Sequence, residues 1–233
     1  MVGTIINIVT VIIGSLLGIK LGGRFPEQAR QTVVNGLGLF TLALGLQMFL
    51  KTQDILVVLG SLLIGALLGE WWKIESSLQS FGGWLERKFM KGGGEEQARF
   101  VRGFLTASLV FCVGPMAILG SIEDGITGSY RILVVKAMLD GFASLAFASS
   151  IGIGVLFSII PLAIYQGGLT LLAAQAQSFV STAMMNEMSA TGGLILMSIS
   201  IGGLLELKPI RSANFLPALV IAPCLVAILA LFH

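Results

Sequence analysis

Apolar residues run along this chain in long blocks, broken by short polar turns, and the blocks are the right length to predict membrane-spanning helices. Eight are expected: Val2–Ile19, Gln31–Leu50, Ile55–Gly69, Phe104–Ile122, Ile132–Ser150, Ile151–Ala173, Gly192–Leu205 and Phe215–Phe232. The third is short: at 1.5 Å per residue it covers only about 22 Å of a roughly 30 Å hydrocarbon core. Trp71 and Trp72 follow it at once, as at a membrane interface. Between Glu70 and Arg102 the pattern changes. Trp71, Ile74, Leu78, Phe81, Leu85 and Phe89 recur at three- and four-residue steps, which marks one apolar helical face. Two placements stay open for that helix, in the membrane surface or packed on the end of the bundle. Gly82–Gly83 is expected to break it, and Gly92–Gly94 to form a hinge after it. The fold class is therefore all-α and polytopic.

A repeat organises the blocks. Gly193–Ile221 laid without gaps on Gly36–Ile64 matches at nine of 29 positions, including Gly36/Gly193, Gly45/Gly202, Leu50/Leu207 and Lys51/Lys208. Each copy is a glycine-dotted apolar run, a polar turn with a lysine, and a second apolar run. Alternate crossing sends the two copies through the bilayer in opposite directions, so the repeat is inverted. The plan is residues 1–69 as a first repeat, 70–102 as an interfacial or cytoplasmic connection, 103–150 as a central helix pair and 151–233 as a second repeat, within one transmembrane domain. Inverted repeats are a recurrent transporter plan, with the substrate near the midplane where interrupted helices cross.

Composition agrees with the pattern. Hydrophobic residues make up 55% of the 233 and charged residues 11%, where a soluble domain carries about 25% charged. A net charge of +2 gives no reason to expect nucleic acid. The bilayer is the evident partner, and a homo-oligomer is expected of so small a bundle. Lys and Arg divide eleven to two between alternate sides, with Lys136 inside a span; the richer side holds Lys20, Arg24 and Arg30 among others. By the positive-inside rule both termini then lie outside the cytoplasm. The N-terminus lacks a basic leader region and reads as a retained span.

The runs FCVGPMAILGSIEDG (Phe111–Gly125), KAMLDGFASLAFASSIGIGV (Lys136–Val155) and LPAL (Leu216–Leu219) resemble the YqgA/YdfK-like family of bacterial membrane proteins. The resemblance implies a polytopic inner-membrane protein of a domain-of-unknown-function family, and it supplies no catalytic residues to carry over.

Chemistry concentrates at few places. Lys136 and Asp140 stand four apart on one helix and so share a face. A charge at a helix centre costs on the order of 2.5–3.5 kcal/mol, so such groups point to function unless the pair merely fixes helix rotation. Glu123 and Asp124 follow the Gly114–Pro115 break, where proline frees a carbonyl; Glu123 is a candidate for a solute or ion pathway, Asp124 more simply a turn residue. Asn186 and Glu187, further candidates for that pathway, precede Gly192–Gly193, read as a helix break capped by Ser189 or Thr191, where Glu187 alternatively only complements the helix dipole. Pro161 is a further break. Asn7, Asn35, Gln47 and the Gln166–Thr170 run are polar groups in apolar spans, expected to hold helices together. Gly14/Gly18 and Gly65/Gly69 are close-packing pairs. Cys112 and Cys224 stand apart, His233 is the only histidine, and no nucleophile–base spacing or phosphate loop occurs. No enzyme, cofactor or metal is expected. The function expected is movement of a small solute or ion through a pathway between the repeats; a scaffold or partner subunit of a larger membrane complex is the alternative.

Overall fold

The computed structural model describes residues 1–22, 26–89, 94–173 and 181–230. Arg24 of the first basic turn, Gly92 and Gly93 of the expected hinge, residues 174–180 of the polar stretch before span seven, and His233 lie outside the described residues. Every regular element among those described is helical: α1 (Val2–Gly22), α2 (Glu27–Phe49), α3 (Ile55–Trp71), α4 (Ile74–Phe89), α5 (Glu95–Val113), α6 (Pro115–Thr127), α7 (Arg131–Ile151), α8 (Ile159–Leu171), α9 (Thr182–Ile199) and α10 (Ala218–Leu229). Six stretches are long and apolar enough to cross a membrane: Val2–Gly22, Gln31–Phe49, Arg131–Ile151, Ile153–Leu171, Thr182–Leu204 and Ser212–Leu229. Two bent pairs, α3 with α4 at 54° and α5 with α6 at 60°, raise the number to as many as eight. The chain is an all-α polytopic membrane protein.

The chain forms two compact units, Met1–Leu37 with Gln79–Ser178, and Gly38–Leu78 with Phe179–His233. In the first unit α1 lies along α7. A Cβ on Gly14 would fall 2.2 Å from the Gly141 carbonyl oxygen, one on Gly18 2.3 Å from that of Leu145, and one on Gly22 2.2 Å from that of Ser149. Both series ascend together, so the helices run parallel, as spans one and five of an alternating chain must. In lipid no hydrophobic force drives helices together, and small residues are what let backbones approach. On the far side of the unit Gly82 of α4 faces Phe104 of α5, and Leu85 packs with Phe100 and Phe104. Phe89, on the same face as Leu85, sets its ring 5.3 Å from that of Phe157, and Trp84, off that face, stays exposed. Within this unit α4 is thus packed on its neighbour and still presents apolar surface outward.

The second unit repeats the device with antiparallel pairs. Gly45 of α2 and Gly193 of α9 each face the other's carbonyl oxygen, at 2.6 and 2.4 Å from an added Cβ. Gly65 and Gly69 of α3 lie against Ala218 and Asn214 in the same reciprocal sense.

Four expectations about breaks need revising. Gly192 and Gly193 interrupt nothing: α9 starts at Thr182, where the Ser181 hydroxyl accepts the Met184 N–H at 3.2 Å. A mid-helix glycine costs about 1 kcal/mol against alanine, tolerable where it admits a backbone as close as that of α2. Ser189 and Thr191 are therefore not caps; Ser189 donates to the Met185 carbonyl and Thr191 meets Ser61 at 3.2 Å. Gly82–Gly83 does not split α4, whose start is set by Lys73 at φ 54°, in the left-handed region. Pro161 sits in the first turn of α8, where its missing N–H has no helical partner to lose. The break belongs to Gly152, at φ 99°, and the 3-10 turn Ile153–Ser158 after it. The Gly114–Pro115 break stands: Gly114 is extended and Pro115 opens α6. The seventh span is longer than Gly192–Leu205, because its polar N-terminal half is helical as well.

Candidate functional site

Lys136 and Asp140 occupy the second and third turns of α7 and are both buried, at 4% and 8% exposed. The Lys136 ammonium donates to Asp140 Oδ2, so the spacing of four that put them on one face also makes them an ion pair. A second donor reaches the same oxygen from α1: Asn7 Nδ2 lies 2.9 Å from Asp140 Oδ2. The glycine seam brings Asn7 within reach. Its other N–H goes to Gln166 Oε1 on α8 at 3.0 Å. Gln166 Nε2 in turn donates to the Thr4 hydroxyl at 3.3 Å, and Thr4 meets Thr170 at 3.5 Å. Thr170 closes the chain by donating to the Gln166 carbonyl oxygen at 2.9 Å. Six side chains from three helices thus form one buried network, with a single carboxylate and a single cation.

Its donors and acceptors do not balance. Both N–H groups of Asn7 are spent, yet its Oδ1, fully buried, accepts nothing. An unmet buried acceptor costs about 1–3 kcal/mol. Cys112 of α5 lies within electrostatic reach of Lys136 and Asp140, and Tyr165 of α8 within reach of Cys112.

Reading the chain one residue at a time assigned Asn7, Gln166 and Thr170 to helix packing. The structure joins them to the pair on α7. Thr4 and Tyr165 carry no signal of their own along the chain, and Cys112 stands apart from Cys224 there. A signal was present: Thr4 with Asn7, and Gln166 with Thr170, recur at helical spacing on otherwise apolar helices, so each pair lies on one face.

The remaining candidates are arranged differently. Glu123 is half-buried near the end of α6 and takes no part in the network, its carbonyl accepting from Thr127. Asp124, expected to be the plainer of the two, is buried and accepts the Gly3 N–H at 3.1 Å. Glu187 belongs to the second unit. It lies in the second turn of α9 and is 2% exposed, so complementing a helix start at Gly192 is not its role. Its carboxylate accepts from the Thr52 hydroxyl at 2.6 Å and from the backbone N–H groups of Gln53 and Asp54 at 2.6 and 3.1 Å. That clamps the turn between α2 and α3, with every donor charge-assisted. Asn186 beside it is half-buried. Among the described residues no three His, Cys, Asp or Glu side chains converge as metal ligands.

Comparison with known proteins gives the chain its relatives. The chain is 30% identical to "Uncharacterized membrane protein YdfK" of Bacillus subtilis (strain 168), over 100% of this chain and 98% of that protein. It is 31% identical to "Uncharacterized protein YqgA" of Escherichia coli (strain K12), over 95% of this chain and 94% of that protein. No solved structure matches. The family model described as "Protein of unknown function (DUF554)" matches residues 2–227, and the chain belongs to that family.

Proposed function

We propose that the protein moves a small solute or ion across the bacterial inner membrane, with Asp140 and Lys136 at the heart of its pathway. One observation carries the reading. A carboxylate and an ammonium are buried together in a membrane-spanning unit and held by amide and hydroxyl groups from two further helices, at a cost a purely apolar core would avoid. Helix packing in lipid needs no charge; the glycine seam between α1 and α7 already supplies it.

The inverted repeat belongs to the same proposal. Its supporting observation is that α2 runs antiparallel to α9 and α3 to α10, the orientation that a two-fold axis in the membrane plane requires of paired copies. On this reading both termini lie outside the cytoplasm, the chain performs no covalent chemistry, and Glu187 holds a hairpin of the first copy in shape.

A second reading has its own support. Lys136 and Asp140 satisfy each other, and α1 is locked on α7 by backbone contact, so the pair could serve a scaffold as a rotational pin. The two separate in one experiment. The protein is reconstituted into liposomes and screened for flux of ions and metabolites that raise its melting temperature, alongside Asp140→Asn. Transport predicts normal insertion and folding of the variant with flux abolished. Undiminished flux in Asp140→Asn sinks the transport role of this site, and a destabilised variant with no flux in either protein favours the scaffold.

A further inference from the structure

We propose that the ion handled by the first unit is the proton, taken up at Asp140 in competition with Lys136, and that uptake hands the Lys136 ammonium from Asp140 to Asn7 Oδ1. The proposal rests on the transport reading only for what the proton drives; the switch itself rests on the network.

The competition follows from a shared atom. Asp140 Oδ2 accepts from both Lys136 and Asn7. A proton on this carboxylate removes the charge that holds the ammonium, while the acid's carbonyl oxygen still accepts from Asn7 Nδ2. The freed ammonium then needs an acceptor, because a buried cation without one is costly. One is waiting. Asn7 Oδ1 is buried, unpartnered, and carried by the same amide group whose Nδ2 touches the oxygen that Lys136 now holds. A lysine has a flexible four-carbon stem and three rotatable donors, so the move needs no backbone shift. Asn7 Oδ1, the buried acceptor left without a donor in the ionised form, then has one.

The balance is simple. The proton comes from water, one O–H bond forms on the carboxyl group, and Lys136 keeps its own proton, so the site gains one positive charge. Other ionisable groups facing it are few. The α5 helix brings Cys112, α8 brings Tyr165 behind it, and α6 brings Asp124, which is paired with the Met1 ammonium at 2.8 Å and bound to the Gly3 N–H; α1 itself lends the network only Thr4 and Asn7. The added charge therefore has no spare carboxylate to meet it. Before uptake Lys136 ties α7 to itself; afterwards it ties α7 to α1. A proton thus adds a second, charged tie between α7 and α1 to the Asn7–Asp140 bond already there, the kind of change in coupling strength that a proton-coupled cycle requires.

The test is infrared difference spectroscopy on the purified protein in lipid, titrated from about pH 9 to about pH 2.5, a range that extends below the ordinary aspartate value of about 3.9. The expected result is a protonated-carboxyl band that grows on acidification and is missing in Asp140→Asn. With isotope-labelled asparagine, an amide carbonyl shift should accompany it and be missing in Asn7→Leu. In Lys136→Met the competitor is gone, so the band should appear at higher pH, by about one unit or more, a tenfold gain in proton affinity. A folded wild-type protein with no such band, a band that Asp140→Asn retains, or an unmoved midpoint in Lys136→Met overturns the proposal. The same samples in proteoliposomes separate the two readings. The full spectral response without any Asp140-dependent flux keeps the proton site and removes transport. Asp140-dependent solute flux without the band keeps transport and removes the proton.

Discussion

Asp140 has two hydrogen-bond partners, Lys136 and Asn7, and each can be removed on its own. Replacing Lys136 by methionine leaves a carboxylate buried without its counter-ion, which should cost about 3–5 kcal/mol at neutral pH. The double variant Lys136→Met/Asp140→Leu replaces the pair by apolar groups and should recover most of that loss. Thermal unfolding in detergent measures both. Acid should narrow the gap for the single variant, because the folded state then binds a proton that the unfolded chain, ionised at the same pH, does not. Equal melting temperatures for the single and double variants would mean that Asp140 is not held as a charge. The pair itself was legible in the amino-acid sequence, since a spacing of four on a helix leaves little choice. Its setting was not. Asn7 stands 133 residues from Asp140 and Gln166 stands 159 from Asn7, and nothing local to either position encodes that separation.

At the scale of elements, glycine does two different things in this chain. Gly14, Gly18, Gly45 and Gly193 each face a backbone at a distance no Cβ could share, whereas Gly36 has open space around it. Gly18→Val should drive α1 away from α7, weaken the Asn7–Asp140 bond and lower the melting temperature by several degrees. Gly36→Ala should be neutral or stabilising by up to about 1 kcal/mol, the gain in helix propensity. If the two behave alike, the α1–α7 seam is not what holds the unit. The apolar blocks foretold where the helices lie, and the Gly14/Gly18 and Gly65/Gly69 pairs which faces pack. Where helices end was harder to see. Gly192–Gly193 and Gly82–Gly83 look like breaks because glycine favours no regular structure, yet the Gly45 carbonyl over Gly193 and the Phe104 ring over Gly82 offset the propensity lost. Conversely Lys73, an ordinary residue, takes the left-handed turn that α4 needs at its start.

For the whole molecule, alternate crossing makes a sharp statement about sides. A cysteine placed in the turn at Lys51 and one placed at Lys208 should react with a membrane-impermeant thiol reagent from opposite faces of the membrane, in a background free of Cys112 and Cys224. Lys208 should be reached only from the cytoplasmic face. Labelling of both from one side would remove the inverted repeat and the orientation together. By itself the sequence determined the solvent: blocks of apolar residues with 11% charge cannot fold in water, and in lipid a chain that must satisfy every backbone group within itself becomes helical. It also determined that one lysine and one aspartate share a helix face inside a span, since helical periodicity is a local property. Only the tertiary structure decided which groups surround them, which carboxylates are instead bound to backbone N–H groups, and which glycines are contacts and not breaks. Those are matters of approach between residues far apart in the chain, and they depend on packing distances that no stretch of sequence carries alone.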